Sequence, residues 1–155
     1  MSKPAIDLYD IPVQTGNGFP EPFASTLGPY QGRSLDAHFE LTKFGASVEV
    51  LPPGSQSALR HWHQENDELV VMLAGELTLV TNRGRTTLLP NMVVGFQAGD
   101  PDGHHLINES DQEASVLVVG SRSKQDQVHY PDDDIQWLQS ESGSWYAARK
   151  DGTPY

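Results

Sequence analysis

Five short apolar runs, separated by turn residues, most constrain what this chain can fold into. They read "LVVMLAGELTLV" (69–80), "RTTLLP" (85–90), "MVVGFQAG" (92–99), "HHLIN" (104–108) and "EASVLVVGSR" (113–122). Upstream, "FELTKFGASVEVL" (39–51) alternates apolar with polar residues, the period of a half-buried strand, and "PPG" (52–54) ends it. "TNRGR" (81–85) predicts a hairpin turn with Gly84 free to take a positive φ, and "ESDQ" (109–112) predicts a second tight link. Short strands with turns at this spacing predict an all-β barrel or sandwich.

The two ends have a different texture. Residues 1–35 carry Pro4, Pro12, Pro20, Pro22 and Pro29 among four glycines, which predicts an irregular N-terminal arm lying on the domain. Residues 123–155 are polar yet hold Tyr130, Trp137, Trp145 and Tyr146, too many aromatics for a free tail. This C-terminal extension is expected to pack on the barrel, residues 36–122, or on a partner subunit, with at most one short helix near 134–140. The length of 155 residues fits one domain.

Charge and composition exclude several functions. With 21 acidic and 10 basic residues the formal charge is -11, which repels nucleic-acid phosphates and anionic membranes. The chain has no cysteine, so any metal must be held by imidazole and carboxylate. No segment approaches the roughly 18 apolar residues of a spanning helix, and a cytoplasmic location is the default expectation. Neither a phosphate-binding Gly-Lys-Ser/Thr loop nor a Gly-x-Ser-x-Gly elbow occurs. "PDDDI" (131–135) lacks the alternating ligands of a calcium loop and reads as a solvated turn or a helix N-terminus, where acidic residues suit the dipole.

What remains is "LRHWHQENDELV" (59–70). On an extended backbone His61 and His63 share one face, while Arg60 and Trp62 take the other, packed under the arm or at a subunit contact. "QEND" makes a bend and Glu68 opens the next strand. Two histidines and a carboxylate form the set that holds a divalent metal with open positions. A third imidazole must come from "GHHLIN", where parity admits only one of His104 and His105 to the same pocket.

At this point the sequence resembles the cupin superfamily. His61, His63, Glu68 and Gly75 reproduce the first cupin motif; Gly84, Pro90, His104 and Asn108 fit the second. Asn91 stands where the family has its turn glycine, and Asn is the residue that best tolerates that left-handed backbone. "MVVGFQAGDPDG" (92–103) lengthens the strand and loop before the final histidine. Spacing to Asn108 favours His104 over His105. "RHWH", "GHHLIN", "VHYPD" and "KDGTPY" look like the signatures of a group of small single-domain bacterial cupins.

The resemblance implies a double-stranded β-helix, the cupin jelly-roll barrel. It also implies one divalent metal ion (Zn, Mn, Ni or Fe) on His61, His63, Glu68 and His104, a homodimer, and a small-molecule ligand. The function it implies is action on, or binding of, a small oxygenated or carboxylated metabolite. Dioxygenase, isomerase, lyase and decarboxylase chemistry all suit such a centre. The alternatives are a non-catalytic sugar- or acid-sensing module and a structural barrel serving assembly.

Overall fold

The structure, a computed structural model, describes residues 5–155, so Pro4 and the first four residues of the arm lie outside the described residues. After a turn of 3-10 helix at Leu8–Asp10 come β1 (Gln14–Thr15), α1 (Phe23–Leu27), β2 (Gln31–Ser34) and α2 (Leu35–Phe39). The barrel strands are β3 (Phe44–Leu51), β4 (Trp62–His63), β5 (Glu68–Ala74), β6 (Leu77–Thr81), β7 (Gly84–Leu88), β8 (Val93–Phe96), β9 (His105–Ile107) and β10 (Ala114–Ser121). Three short strands finish the chain: β11 (Val128–His129), β12 (Gln136–Gln139) and β13 (Trp145–Ala148).

All strand pairs are antiparallel. One sheet has the order β1-β2-β3-β10-β5-β8 and faces a smaller sheet ordered β7-β6-β9. Residues directly opposite in an antiparallel pair point to the same side. The register Leu51↔Ala114 and Val116↔Met72 therefore turns one row inward, to meet Leu77, Leu79, Leu88 and Leu106 of the smaller sheet. Each fully buried aliphatic side chain there contributes about 2 kcal/mol of transfer free energy. This is the all-β jelly roll that the alternation and the turns predict.

Turn chemistry holds the strands in register. Gly75, between β5 and β6, has φ 75°, and a Cβ there would lie 2.5 Å from the Glu113 carbonyl oxygen. Asn91 takes φ 72°, the left-handed turn that its place in the motif demands.

Three elements depart from the sequence reading. The arm is more regular than its prolines suggest, because β1 and β2 extend the large sheet along β3. The strand expected from residue 39 starts only at Phe44. Ser34 caps α2, its hydroxyl accepting from the Ala37 amide, and Glu40 ends the helix at φ 55°. Near residues 134–140 there is a hairpin and no helix: β12 pairs with β13 around Gly143, whose φ is 84°. The Ser-rich link and the flanking aromatics outweigh the helix-like acidic start.

A second core joins the two ends of the chain. Leu27 of α1 is buried with Leu59, Tyr130 and Ile135, with Phe19 and Trp137 against them. Phe19 meets the rings of Tyr130 and Trp137 edge-on, and the Trp137 indole donates to the Tyr130 hydroxyl at 3.1 Å. No helix among the described residues is long and apolar enough to cross a membrane.

Candidate metal centre

Backbone pairing brings the site together. His61 and His104 exchange amide hydrogen bonds, His61 N to His104 O at 3.1 Å and His104 N to His61 O at 2.8 Å. Partners in such a bridge project side by side, and the two imidazole centroids are 4.7 Å apart. Glu68 opens β5 on the inward row, opposite Gly120 of β10 and Phe96 of β8. Its carboxylate lies 3.6 Å from His104 Nε2 and 3.5 Å from His63 Nε2.

Ligand atoms of His61, Glu68 and His104 all lie within 4.8 Å of one another. His63 stands just outside that tight group, its ring 5.2 Å from the His61 ring and its Nε2 turned to Glu68. His105 is not brought in: its Nδ1 bonds the Ala58 carbonyl at 3.1 Å, on the other side of β9. The motif residue Asn108 is fully buried and structural, its amide donating to the Leu51 and Gln112 carbonyls at 2.7 Å each.

The hydrogen bonds prepare lone pairs. A carbonyl only accepts, so the 2.8 Å contact between His61 Nδ1 and the Leu59 carbonyl puts the proton on Nδ1 and leaves Nε2 bare. His63 Nδ1 bonds the Asp126 carboxylate at 2.7 Å, which frees its Nε2 in the same way. Both ring nitrogens of His104 are buried without a partner among the described residues, while Phe96 stacks flat on the ring at 3.4 Å. Leaving a buried imidazole unsatisfied costs about 1–3 kcal/mol. A cation between Nε2 and the Glu68 carboxylate would remove that cost, so the donor set fits a divalent metal.

The electrostatics favour the same occupant. Burial, with the adjacent His104, pushes His61 down to about 4, so the imidazole is neutral and able to bind metal at neutral pH. Burial of Glu68 opposes its charge, but His104, His61 and His63 together outweigh this and hold the carboxyl below its usual range. Three imidazole nitrogens and one carboxylate, with no thiolate, suit Zn, Mn, Ni or Fe and leave open positions on a five- or six-coordinate ion.

Two cavities reach the cluster. One of about 410 Å³ ends at Glu68 and is walled by Tyr30, Ser47, Arg33 and Arg122. The other, about 420 Å³, ends at His63, His104 and Phe96. A wider groove of about 980 Å³ runs beneath the C-terminal hairpin and includes none of the four candidate ligands.

Trp62 and Arg60 find partners in the C-terminal extension, and Trp62 also lines the cavity that ends at His63 and His104. Trp62 stacks on His129 at 4.2 Å, and Arg60 pairs with Asp132 at 2.6 Å. Asp132 of "PDDDI" is thus a salt-bridge partner of the barrel. Sequence reasoning missed Asp126 and Phe96 as site residues. No spacing rule ties Asp126 to a histidine 63 positions earlier.

Residues 47–120 match the cupin domain family. A sugar phosphate isomerase of the cupin superfamily from Silicibacter pomeroyi is 36% identical, with 98% of this chain and 96% of that one covered and a TM-score of 0.90. A putative sugar phosphate isomerase from Acidithiobacillus ferrooxidans is 25% identical over 82% of this chain and 80% of that one, with a TM-score of 0.71. The polyketide cyclase from Streptomyces resistomycificus, at 20% identity, 91% and 89% coverage and a TM-score of 0.66, shares the fold. No curated protein matches the chain.

Proposed function

The chain belongs to the cupin superfamily, and on that premise we propose that it is a metal-dependent isomerase of a sugar phosphate, with His61, His63, Glu68 and His104 as the ligands of one divalent ion. One observation carries the metal reading: the buried, unpartnered imidazole of His104 beside Glu68 and His61. The substrate class is supported by the two similar proteins described as sugar phosphate isomerases. It is supported also by the charge distribution. In a chain of net charge -11, Arg33 and Arg122 line the cavity that ends at Glu68, where guanidinium groups suit a phosphate.

A bound divalent ion would supply Lewis acidity toward the carbonyl and adjacent hydroxyl oxygens of an open-chain sugar. The protein's part is to hold the imidazoles oriented and that of His61 neutral. Leu59 and Asp126 fix the rings of His61 and His63, and Phe96 fixes the plane of His104. Arg122, half-exposed at the cavity mouth and paired with Asp36, offers its remaining donors to a phosphate.

We assign the same proposal to a cytoplasmic homodimer. An apolar patch on the outer face of β5 and β8 supports it: Leu69, Leu73 and Val93 are 46%, 43% and 64% exposed. The test is interconversion of aldose and ketose phosphates by protein reconstituted with each of Mn, Fe, Ni and Zn. Conversion that a chelator abolishes and His61→Ala lacks is the expected result. Turnover unaffected by the chelator contradicts the reading.

A further inference from the structure

The inward row of β3 carries a second carboxylate. Glu49 lies opposite Val116, and Val116 opposite Met72, so Glu49 faces the same interior as Glu68. Its surroundings there are otherwise apolar: β10 presents Val116 and Val118, and β5 presents Val70 and Met72. No cation among the described residues pairs with it. A carboxyl in such a place is costly to keep charged.

Two hydroxyls are built around it. Ser47 Oγ donates to Glu49 Oε1 at 3.1 Å, and the Tyr30 hydroxyl offers a second hydrogen bond. Tyr30 gets there because its strand neighbour across from Glu49 is Gly32: a Cβ on Gly32 would lie 2.4 Å from the Tyr30 hydroxyl oxygen. The absence of that one carbon lets the phenol lie over the backbone beside Glu49. Ser47 and Tyr30 also wall the cavity that ends at Glu68. Glu49, itself only part-buried and hydrogen-bonded to both, lies beside them on the inner face that a sugar in that cavity would touch.

We propose that Glu49 is the residue that moves a proton between the two carbons exchanged by the isomerisation, with Tyr30 and Ser47 orienting its carboxylate. This rests on the isomerase reading. The Glu49 carboxylate takes the proton from the hydroxyl-bearing carbon next to the carbonyl. The C–H electron pair becomes the carbon–carbon double bond of an enediolate, and the carbonyl π pair passes to its oxygen. The neighbouring hydroxyl proton moves to that oxygen. The proton held by Glu49 exchanges with solvent, and Glu49 then delivers a proton to the former carbonyl carbon, which bonds it with the double-bond pair, while the second oxygen's pair closes the new carbonyl. Nothing is oxidised or reduced overall, and no co-reactant is needed. In the metal-free protein burial first, then the charge of Glu68, raises Glu49 to about 7, the range in which a carboxyl can both take and give a proton in neutral solution.

The experiment follows three-, five- and six-carbon aldose phosphates with the metal-loaded protein in D2O, for wild type, Glu49→Gln and Tyr30→Phe. Wild type is expected to convert one of them with solvent deuterium at the former carbonyl carbon. Glu49→Gln is expected to lose at least about 100-fold of that conversion, with its metal content unchanged. Infrared titration of the metal-free protein gives a readout apart from turnover: a protonated-carboxyl band lost as pH rises through about 7, absent in Glu49→Gln. Tyr30→Phe, which removes only a hydrogen bond that favours the carboxylate, moves that midpoint upward. Conversion by Glu49→Gln at the wild-type rate, product without deuterium, or no such band in wild type overturns the role of Glu49 and leaves the isomerase reading standing. A wild type that converts none of the sugars removes both.

Discussion

At the residue scale, the site depends on which atom of each imidazole is left free. The Asp126 contact to His63 Nδ1 decides this for the candidate ligand that stands outside the tight group. Replacing Asp126 by Asn removes the negative charge that holds the ring, and metal affinity is expected to fall about 10–100-fold. A competition titration checks it; an unchanged affinity contradicts the orienting role. His61 gives a prediction of opposite subject, the metal-free fold. Its pKa is lowered from 6.5 to about 4, so the unfolded chain binds the extra proton in that window and the folded chain does not. The His61 contribution to the stability of the metal-free protein therefore falls as pH drops from about 6.5 to about 4. Glu49, raised to about 7, acts in the opposite direction over the same range, and Glu68, with its lowered pKa, adds a further loss at still lower pH. Melting temperatures of wild type and His61→Gln across this range are the check: the loss on acidification is smaller in the variant. A slope that is the same in both proteins contradicts it.

At the element scale, turn geometry locks the two sheets into the register that aims Glu68 and His104 at each other. Gly75→Ala puts a Cβ against the Glu113 carbonyl at a positive φ, and a loss of more than about 1 kcal/mol is expected from denaturant titration. A neutral effect would mean that the β5–β6 turn relaxes freely. This scale is also where the sequence was most legible. The strands between residues 44 and 121 follow from alternation and turn residues, and the parity of "HWH" follows from the two-residue period of a strand. For the adjacent pair His104 and His105 parity separates the faces without saying which faces inward; the spacing to Asn108 favours His104, and it is His104 that joins the cluster. The C-terminal hairpin and α2 were hidden for a different reason. Their state is decided by local caps and by pairing with distant residues, and neither leaves a periodic trace in so short a segment.

At the scale of the whole molecule, the arm and the extension close over one another through Leu27, Tyr130 and Ile135, and the extension supplies both Asp126 to His63 and Asp132 to Arg60. The C-terminal residues thus reach the candidate metal centre, a coupling invisible in a chain where His63 and Asp126 lie far apart. The outer face of β5 and β8 is left apolar, and the proposed dimer would cover it. Val93→Arg is expected to turn a dimer into a monomer in sedimentation, with metal content unchanged; a monomeric wild type contradicts the assignment.

The central claim is that His61, His63, Glu68 and His104 hold one divalent ion. Elemental analysis of the purified protein, after reconstitution with Mn, Fe, Ni or Zn and removal of free metal, tests it most directly when run beside His104→Ala. One ion per wild-type chain, and its loss in the variant, is the predicted result. A wild-type chain that retains none of the four metals, or a His104→Ala chain that retains as much as wild type, would contradict it.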